Sequence, residues 1–440
     1  MAKSLLNALL VIAMDYRKYS FFLILALSML RLFTFNVNEG YWWDETVYLS
    51  LAKNMHSFKG FQVAGFEQFR LPFFPFLISL SFFVFNSVIS AKMLMFVFYL
   101  LSLVSIYLLA ETFFDETTAF FSVLFLGSNA LFLFFSYKIL AESLFACLVC
   151  LSALFFHKKH PAFGFFTALA CMTKHFAWLL IPVFIVFSLK DKKFIFSSAL
   201  IFLITLTPFF YLNIKNYNNP LGNLIENFSV YSGSKHELTD VLFYIKNSYA
   251  IFGISLPFII YSFFTGFDTK KKLFLCLSFI PLAVFSFLSH NEQRYIAGFM
   301  PFFFVLCSCP ISNLVKNFST VFLALLAVLI LMPGLSNGFS SVFSDRLSGK
   351  TIVDACSYID SNFNSYKIIT LQYSYASYFT DNEVVILPAD ENKFYSIADS
   401  NTVILYYLPE PGNPAYLKNI TGFSEIISFK RDWEETKLFV

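Results

Sequence analysis

The chain has 440 residues, of which 58% are hydrophobic and only 13% charged, and its mean hydropathy is +0.67. A soluble domain does not carry so much apolar surface, so the bilayer is the solvent for most of this mass. The formal net charge of +3 hides tight clusters of Lys and Arg between apolar runs, a pattern that argues against a nucleic-acid partner.

Apolar runs long enough to cross roughly 30 Å of hydrocarbon recur along the chain at 19–36, 90–110, 117–136, 142–157, 161–174, 176–189, 194–213, 242–265, 273–289, 295–311 and 318–335. The first of them, around Phe21–Phe35, is not followed by a small-residue cleavage site and reads as a retained helix. A further run from Leu71 to Val88 opens Leu-Pro-Phe-Phe-Pro. If it folds back without crossing, Lys158-Lys159, Lys190/Lys192/Lys193 and Lys270-Lys271-Lys272 share a side with Lys3, Arg17 and Lys18. The positive-inside rule favours that parity and predicts about eleven spans, with the N-terminus cytoplasmic and the C-terminus extracytoplasmic.

The outer stretches are then 37–89, 137–142, Lys174-His175, 215–240 and 290–295, where polar residues collect. The division expected is a membrane domain over 1–338, including the first outer loop 37–89 with its interfacial or re-entrant helices, and an outer domain over 339–440. In the latter, strand-like runs at 367–371, 384–387, 402–408 and 425–429 alternate with helical patterns such as 351–360, which predicts a small α/β domain with a mostly parallel sheet. It contains no GxGxxG and no P-loop. The seven Cys lie mostly inside apolar segments as small hydrophobes; Cys147-Leu-Val-Cys150 has CxxC spacing but sits within a predicted membrane helix.

The first outer loop reads Tyr41-Trp42-Trp43-Asp44-Glu45-Thr46-Val47-Tyr48. Asp44 is either a base at the membrane surface or the N-cap of a helix reaching about Met55; in the second case Val47 stands where a capping-box Glu would be. The Trp pair equally suits an interfacial anchor. Arg70 precedes Leu71-Pro72 and suits bidentate phosphate recognition or snorkelling. Glu142 stands at the mouth of an otherwise apolar helix, where a carboxylate needs a partner or a task. Lys174-His175 and Arg294-Tyr295 interrupt apolar runs on the same expected side. Sugar transfer to a hydroxyl needs a carboxylate to take the acceptor proton and cations for the departing phosphate, and this set supplies both.

These residues resemble the GT-C glycosyltransferases, in particular the protein O-mannosyltransferases and lipid A aminoarabinose transferases. The likeness covers roughly the first 310 residues. It rests on Asp44-Glu45 followed by Tyr48, on Arg70-Leu71-Pro72, on Glu142, on Thr173-Lys174, and on Arg294-Tyr295 ahead of Pro301. The second-turn acid is Glu where relatives often carry Asp. The resemblance implies a GT-C membrane bundle, with surface helices in the first loop and an outer soluble domain, that performs an inverting transfer from a polyprenyl-phosphate monosaccharide. It implies Asp44 as the base, Arg70 and Arg294 as donor-phosphate ligands and Glu142 as a second acidic site; Glu45, Lys174, His175 and Tyr295 complete the candidate set.

An oxygen-ligated divalent metal on Asp44, Glu45 and Glu142 is open at this stage. The expected partners are a polyprenyl-phosphate sugar, membrane lipid, and an acceptor that is a protein, a glycan or a lipid. Two other readings use the same residues. A flippase for a lipid-linked sugar or phospholipid predicts inverted repeats and broken helices. A structural subunit with a partner-binding tail leaves Asp44 freely replaceable. Asn227-Phe-Ser229 and Asn419-Ile-Thr421 are sequons on the expected outer side.

Overall fold

Asp15 opens the first helix, α1 (Tyr16–Phe33), by accepting the Lys18 N–H at 3.1 Å. The same device recurs along the computed structural model, which describes residues 15–67, 70–85, 87–232, 241–266, 268–288, 290–315 and 320–440. Lys3 and the end of the 215–240 loop lie outside the described residues. Side chains of Asp115, Asn129, Asp191 and Asp268 each accept an N–H of the turn that follows. Each satisfies a donor that the start of a helix leaves orphaned, so short polar punctuation cuts the apolar runs into helices.

In chain order these are α2 (Trp43–His56), α3 (Phe73–Ser81), α4 (Val88–Phe113), α5 (Glu116–Ser128), α6 (Ala130–Tyr137), α7 (Glu142–His157), α8 (Ala162–Cys171), α9 (Leu180–Ser188), α10 (Lys192–Thr205) and α11 (Thr207–Tyr217). After several shorter pieces follow α12 (Thr269–Ser286), α13 (Met300–Val315), α14 (Thr320–Asp345), α15 (Lys350–Asn362) and α16 (Tyr373–Phe379). By length and composition, two helices among the described residues are apolar enough to cross a membrane, at Val88–Phe113 and Phe322–Asp345. The α5/α6 pair, bent by 59°, and the α10/α11 pair, bent by 48°, raise this to four if each is one span. Asn129 makes the first bend by ending α5 and capping α6, and Pro208 in the first turn of α11 makes the second.

Where the sequence predicts unbroken crossings, the structure thus has several shorter or broken apolar helices. Two more helices, α1 and α12, are 18 residues long and carry three basic residues each. The run 71–88, expected to fold back, holds the nine-residue α3 among its described residues before α4 begins at Val88. At 1.5 Å per residue α3 spans about 14 Å, half the hydrocarbon thickness.

The chain divides into two compact units: Met1–Phe35 with Phe69–Phe74 and Lys92–Val342, and Asn36–Gln68 with Pro75–Ala91 and Phe343–Val440. Within the first unit α5 packs on α13 and on α1, α8 packs on α7 and α10, and α12 packs on α13. Small residues permit the close crossings: a Cβ on Gly164 would strike the Ser198 carbonyl oxygen, and one on Gly334 that of Ser128.

The second unit joins most of residues 37–89 to the C-terminal residues. Strands β1 (Gln62–Val63) and β2 (Phe66–Glu67) form a small hairpin. Strands β3 (Lys367–Thr370), β4 (Val384–Ile386), β5 (Thr402–Tyr407), β6 (Glu425–Arg431) and β7 (Glu434–Phe439) form a sheet of order β4-β3-β5-β7-β6. The β3/β4 and β3/β5 pairs are parallel, whereas β5/β7 and β6/β7 are antiparallel. The expectation of a mostly parallel sheet is thereby corrected, because β7 at the extreme C-terminus was not foreseen. Its residues 434–438 read Glu-Glu-Thr-Lys-Leu, polar for a strand, since it is buried on one face alone. Ile369, Leu387, Phe394, Ile404 and Leu417 make the core beside the sheet.

Gly349, with φ of +76°, precedes α15 and leaves no room for a side chain, since a Cβ there would strike the Tyr41 carbonyl and the Tyr375 hydroxyl. Gly349→Ala is expected to destabilise this unit by more than about 1 kcal/mol. Thermal unfolding followed by tryptophan fluorescence checks this, with Gly412→Ala, which makes only ordinary contacts, as the near-neutral control.

Candidate functional site

The candidate residues fall into two groups, one in each unit. Asp44 and Glu45 stand in the first turn of α2. The sequence left open Asp44 as N-cap; the structure instead makes Trp42 the N-cap, with Glu45 as the third helical residue. Glu45 is buried and its Oε2 accepts the Trp42 N–H at 2.7 Å, so this carboxylate ties off a helix-start donor. Asp44, one residue earlier and half-buried, keeps its carboxylate at the positive end of the helix.

The polypeptide around this turn is held from both sides. The Glu39 and Gly40 N–H groups donate to the Arg346 carbonyl at 2.8 and 2.7 Å, and the Trp42 indole N–H donates to Asp345 Oδ2 at 3.0 Å. The Tyr375 hydroxyl donates to the Tyr41 carbonyl. Burial, and after it the nearby charge of Glu45, pushes the phenols of Tyr41 and Tyr375 well above their ordinary value, so both stay neutral and Tyr375 keeps the proton it donates.

The second group lies at one end of the first unit. Glu142, at the start of α7 and 2% exposed, accepts Lys174 Nζ on its Oε1 at 2.7 Å. Its Oε2 has no hydrogen-bond partner among the described residues. His175 Nε2 meets Asn223 Oδ1 at 2.7 Å. Arg70 brings its charge near His175, and two residues beyond Leu71 the Phe73 N–H donates to the Met172 carbonyl at 3.1 Å. Arg294 pairs with Glu292, which also takes His290 Nε2 at 2.7 Å and the Tyr295 hydroxyl at 3.4 Å. The short helix Arg294–Ala297 packs against α6 and α7, and the Phe176 and Tyr295 rings lie 5.0 Å apart. Arg70, Glu142, Lys174, His175, Arg294 and Tyr295 are thus brought together around the α6–α7 break. An apolar cavity opens beside them, lined by Phe176, Trp178, Leu179, Val284 and Leu288, with His175 and Asn227 as its polar members.

The basic clusters collect at the other end of the same unit. Arg17 pairs with Glu111 at 2.8 Å, Lys159 with Asp191 at 2.8 Å, and Lys270 Nζ donates to the Phe113 carbonyl at 2.6 Å. His157 lies over the Phe113 ring at 4.1 Å, which closes the group.

Sequence reasoning missed three residues of the first end. Arg31 is 1% exposed; its Nη2 donates to the Ser136 carbonyl at 2.8 Å, and its guanidinium lies 3.8 Å from the centre of the Tyr137 ring. A lone Arg within an apolar run was the available signal. Lys138 is equally buried. Glu292 gathers three partners, yet in sequence it is one polar residue in a polar stretch. Among the described residues, no group of three or more His, Cys, Asp or Glu is arranged to hold a metal ion.

No model of a known protein family matches the chain, and no curated protein sequence matches it. Solved structures do match, and the fold they share with it is that of the GT-C membrane glycosyltransferases. ArnT from Cupriavidus metallidurans, solved bound to undecaprenyl phosphate, superposes with a TM-score of 0.73 at 12% identity, over 97% of this chain and 98% of that one. The oligosaccharyltransferase AglB from Archaeoglobus fulgidus, solved with an inhibitory peptide and a dolichol-phosphate, superposes with a TM-score of 0.59 at 12% identity, over 89% of this chain and 70% of that one. The arabinofuranosyltransferase AftD from Mycobacteria reaches 0.58 at 9% identity, over 96% of this chain and 40% of its own length. The likeness is one of fold.

The Glu142–Lys174 pair is buried on both sides, with side chains 2% and 13% exposed. Removing either partner strands a charge away from water, so Glu142→Ala and Lys174→Met are each expected to cost about 3 kcal/mol. The double variant Glu142→Gln/Lys174→Met should recover part of that loss. Thermal unfolding of the purified protein in detergent checks the order of the three.

Proposed function

We propose that the chain is a membrane glycosyltransferase that moves a monosaccharide from a polyprenyl-phosphate carrier to a hydroxyl acceptor on the extracytoplasmic face. The observation that carries this reading is the gathering of Arg70, Lys174, His175 and Arg294 at one end of an apolar unit. That unit belongs to a fold two of whose solved examples were captured with a polyprenyl phosphate. A donor on a long isoprenoid enters from lipid, and a small apolar cavity lies beside His175.

In the step proposed, the acceptor oxygen attacks the anomeric carbon from the face opposite the phosphate. The new glycosidic bond forms as the bond from that carbon to the phosphate oxygen breaks, and the electron pair leaves with the polyprenyl phosphate. The acceptor proton passes to the Asp44 carboxylate, and configuration inverts. Arg70, Lys174 and Arg294 bring positive charge to the departing phosphate, and His175 and Tyr295 offer it neutral hydrogen-bonding groups. Glu142 holds Lys174, and Glu45 holds the first turn of α2, so both acids serve the step by keeping other groups in place. No resident metal enters this scheme.

The sidedness proposed is N-terminus inside and C-terminal residues outside, in a multi-pass protein of the cell membrane. Its support is the segregation of Arg17, Lys158-Lys159, Lys190–Lys193 and Lys270–Lys272 to the end of the first unit away from Glu142 and Lys174. Trp433, 70% exposed in the C-terminal sheet, offers a label position. A Trp433→Cys variant should react with a membrane-impermeant maleimide in intact cells, and a Lys190→Cys variant only after lysis; the reverse pattern would overturn the orientation.

The chemistry is tested with purified protein and radiolabelled undecaprenyl-phosphate-linked mannose and aminoarabinose. Asp44→Asn is expected to lower transfer by about 10²–10⁴-fold with donor binding retained. Unchanged transfer would remove Asp44 from the mechanism, and binding without turnover in the wild type would favour a carrier over an enzyme.

A further inference from the structure

The polar face of α2 is buried where an amphipathic helix would present hydrocarbon. Val47 and Leu51 pack with Val63 in an apolar cluster bordered by Trp43, Phe61 and Tyr373. Thr46, Ser50 and Lys53, spaced four and three residues apart, line an adjoining face and point at α16 and the loop that follows it. The Ser50 hydroxyl donates to the Ser374 carbonyl at 2.7 Å. Lys53 Nζ donates to the carbonyls of Tyr378 and Thr380 and to Asp381 Oδ1, each at 3.0 Å, and this partner holds the Asp381 carboxyl below its usual range.

Thr46 and Ser374 are both fully buried, and their hydroxyl oxygens lie 2.7 Å apart. The single Thr46 proton goes to the Trp43 carbonyl at 2.8 Å, so Ser374 must be the donor of the shared bond. A chain of hydrogen bonds therefore runs from Ser374 through Thr46 to the Trp43 carbonyl, half of the peptide group whose other half is the Asp44 nitrogen.

We propose that Thr46 and Ser374 are positioning residues, and that the C-terminal α/β domain serves the reaction by setting the aim of Asp44 through this hydroxyl relay. The physical reason is directionality. Apolar contacts such as Val47 on Val63 stabilise docking in proportion to area and tolerate small slides. Buried hydrogen bonds constrain distance and angle, and one left unmade costs the desolvation of its partner. A base must be held to within about 0.5 Å, and a 1 Å misplacement costs about 10²-fold in rate. The relay meets that requirement from a partner 328 residues along the chain.

The inference rests on the reading of Asp44 as the base, so Asp44→Asn is measured beside the relay variants. Thr46→Val keeps the volume and deletes the hydroxyl, Thr46→Ser keeps the hydroxyl and deletes a methyl, and Ser374→Ala removes the donor. Thr46→Val and Ser374→Ala are each expected to lower kcat about 10- to 100-fold with the donor KM within about twofold. Thr46→Ser should stay near wild type, and the Thr46→Val/Ser374→Ala pair should be no worse than either single change.

Equal losses in Thr46→Ser and Thr46→Val, or unchanged kcat in Thr46→Val and Ser374→Ala while Asp44→Asn is inactive, would overturn the inference. If Asp44→Asn keeps full turnover, the base assignment fails separately. Amide hydrogen exchange at residues 43–50 then judges the anchoring. Faster exchange in Thr46→Val and Ser374→Ala than in Thr46→Ser supports it, and indistinguishable exchange refutes it.

Discussion

The docking of α2 onto α16 is the constraint on which the second unit depends. Closing a loop of more than three hundred residues costs conformational entropy, and that cost must be offset by the contacts it makes possible. Here they are unusually polar: the three buried hydroxyls of Thr46, Ser50 and Ser374, a Lys with three oxygen partners, and a Trp indole on Asp345. Because each is directional, they fix α2 against α16 in distance and angle. Gly349, in the left-handed region and pressed against the Tyr41 carbonyl, is the corresponding backbone adaptation. Glu434 completes it by accepting the Gly349 N–H at 2.8 Å and the Thr351 hydroxyl at 3.3 Å.

The first unit solves a different problem, that of keeping charge where hydrocarbon is the surrounding medium. Its two ends do so in opposite styles. At the basic end, pairs such as Arg17–Glu111 are exposed and contribute little, as surface ion pairs do. At the other end Glu142–Lys174 is buried, and so is Arg31 under Tyr137; charges held this way add little net stability, which makes them candidates for a functional site. This asymmetry is the strongest internal argument for placing chemistry at the α6–α7 break. A flippase would need broken helices too, and the bends at Asn129 and Pro208 provide them, but a buried pair beside several cations suits a fixed phosphate better than a moving one.

The sequence alone determined that the chain is a membrane protein and that its C-terminal residues are of another material, and it predicted one side for Arg70, Glu142, Lys174 and Arg294, which the structure brings to one end of the first unit. Those conclusions follow from hydrophobic runs, from the Lys and Arg clusters, and from polar residues standing where lipid does not tolerate them. Four of the five C-terminal strands, near 367, 384, 402 and 425, were legible because each is rich in Ile, Val, Tyr or Phe. The last, Glu434–Phe439, was not, because its pairing with β5 and β6 outweighs a weak local preference.

Only the tertiary structure decided which carboxylate of the Asp44-Glu45 pair is spent on the helix start. Cap identity depends on where the preceding chain turns, and Trp42 turns there because its indole reaches Asp345. It likewise decided that Glu142 faces Lys174, that Glu292 gathers Arg294, His290 and Tyr295, and that Thr46 meets Ser374. Hydrophobic periodicity is a local property and can be read along the chain. A hydrogen bond between residues hundreds of positions apart leaves no local trace, and it exists only once both partners have been carried to within 3 Å of each other.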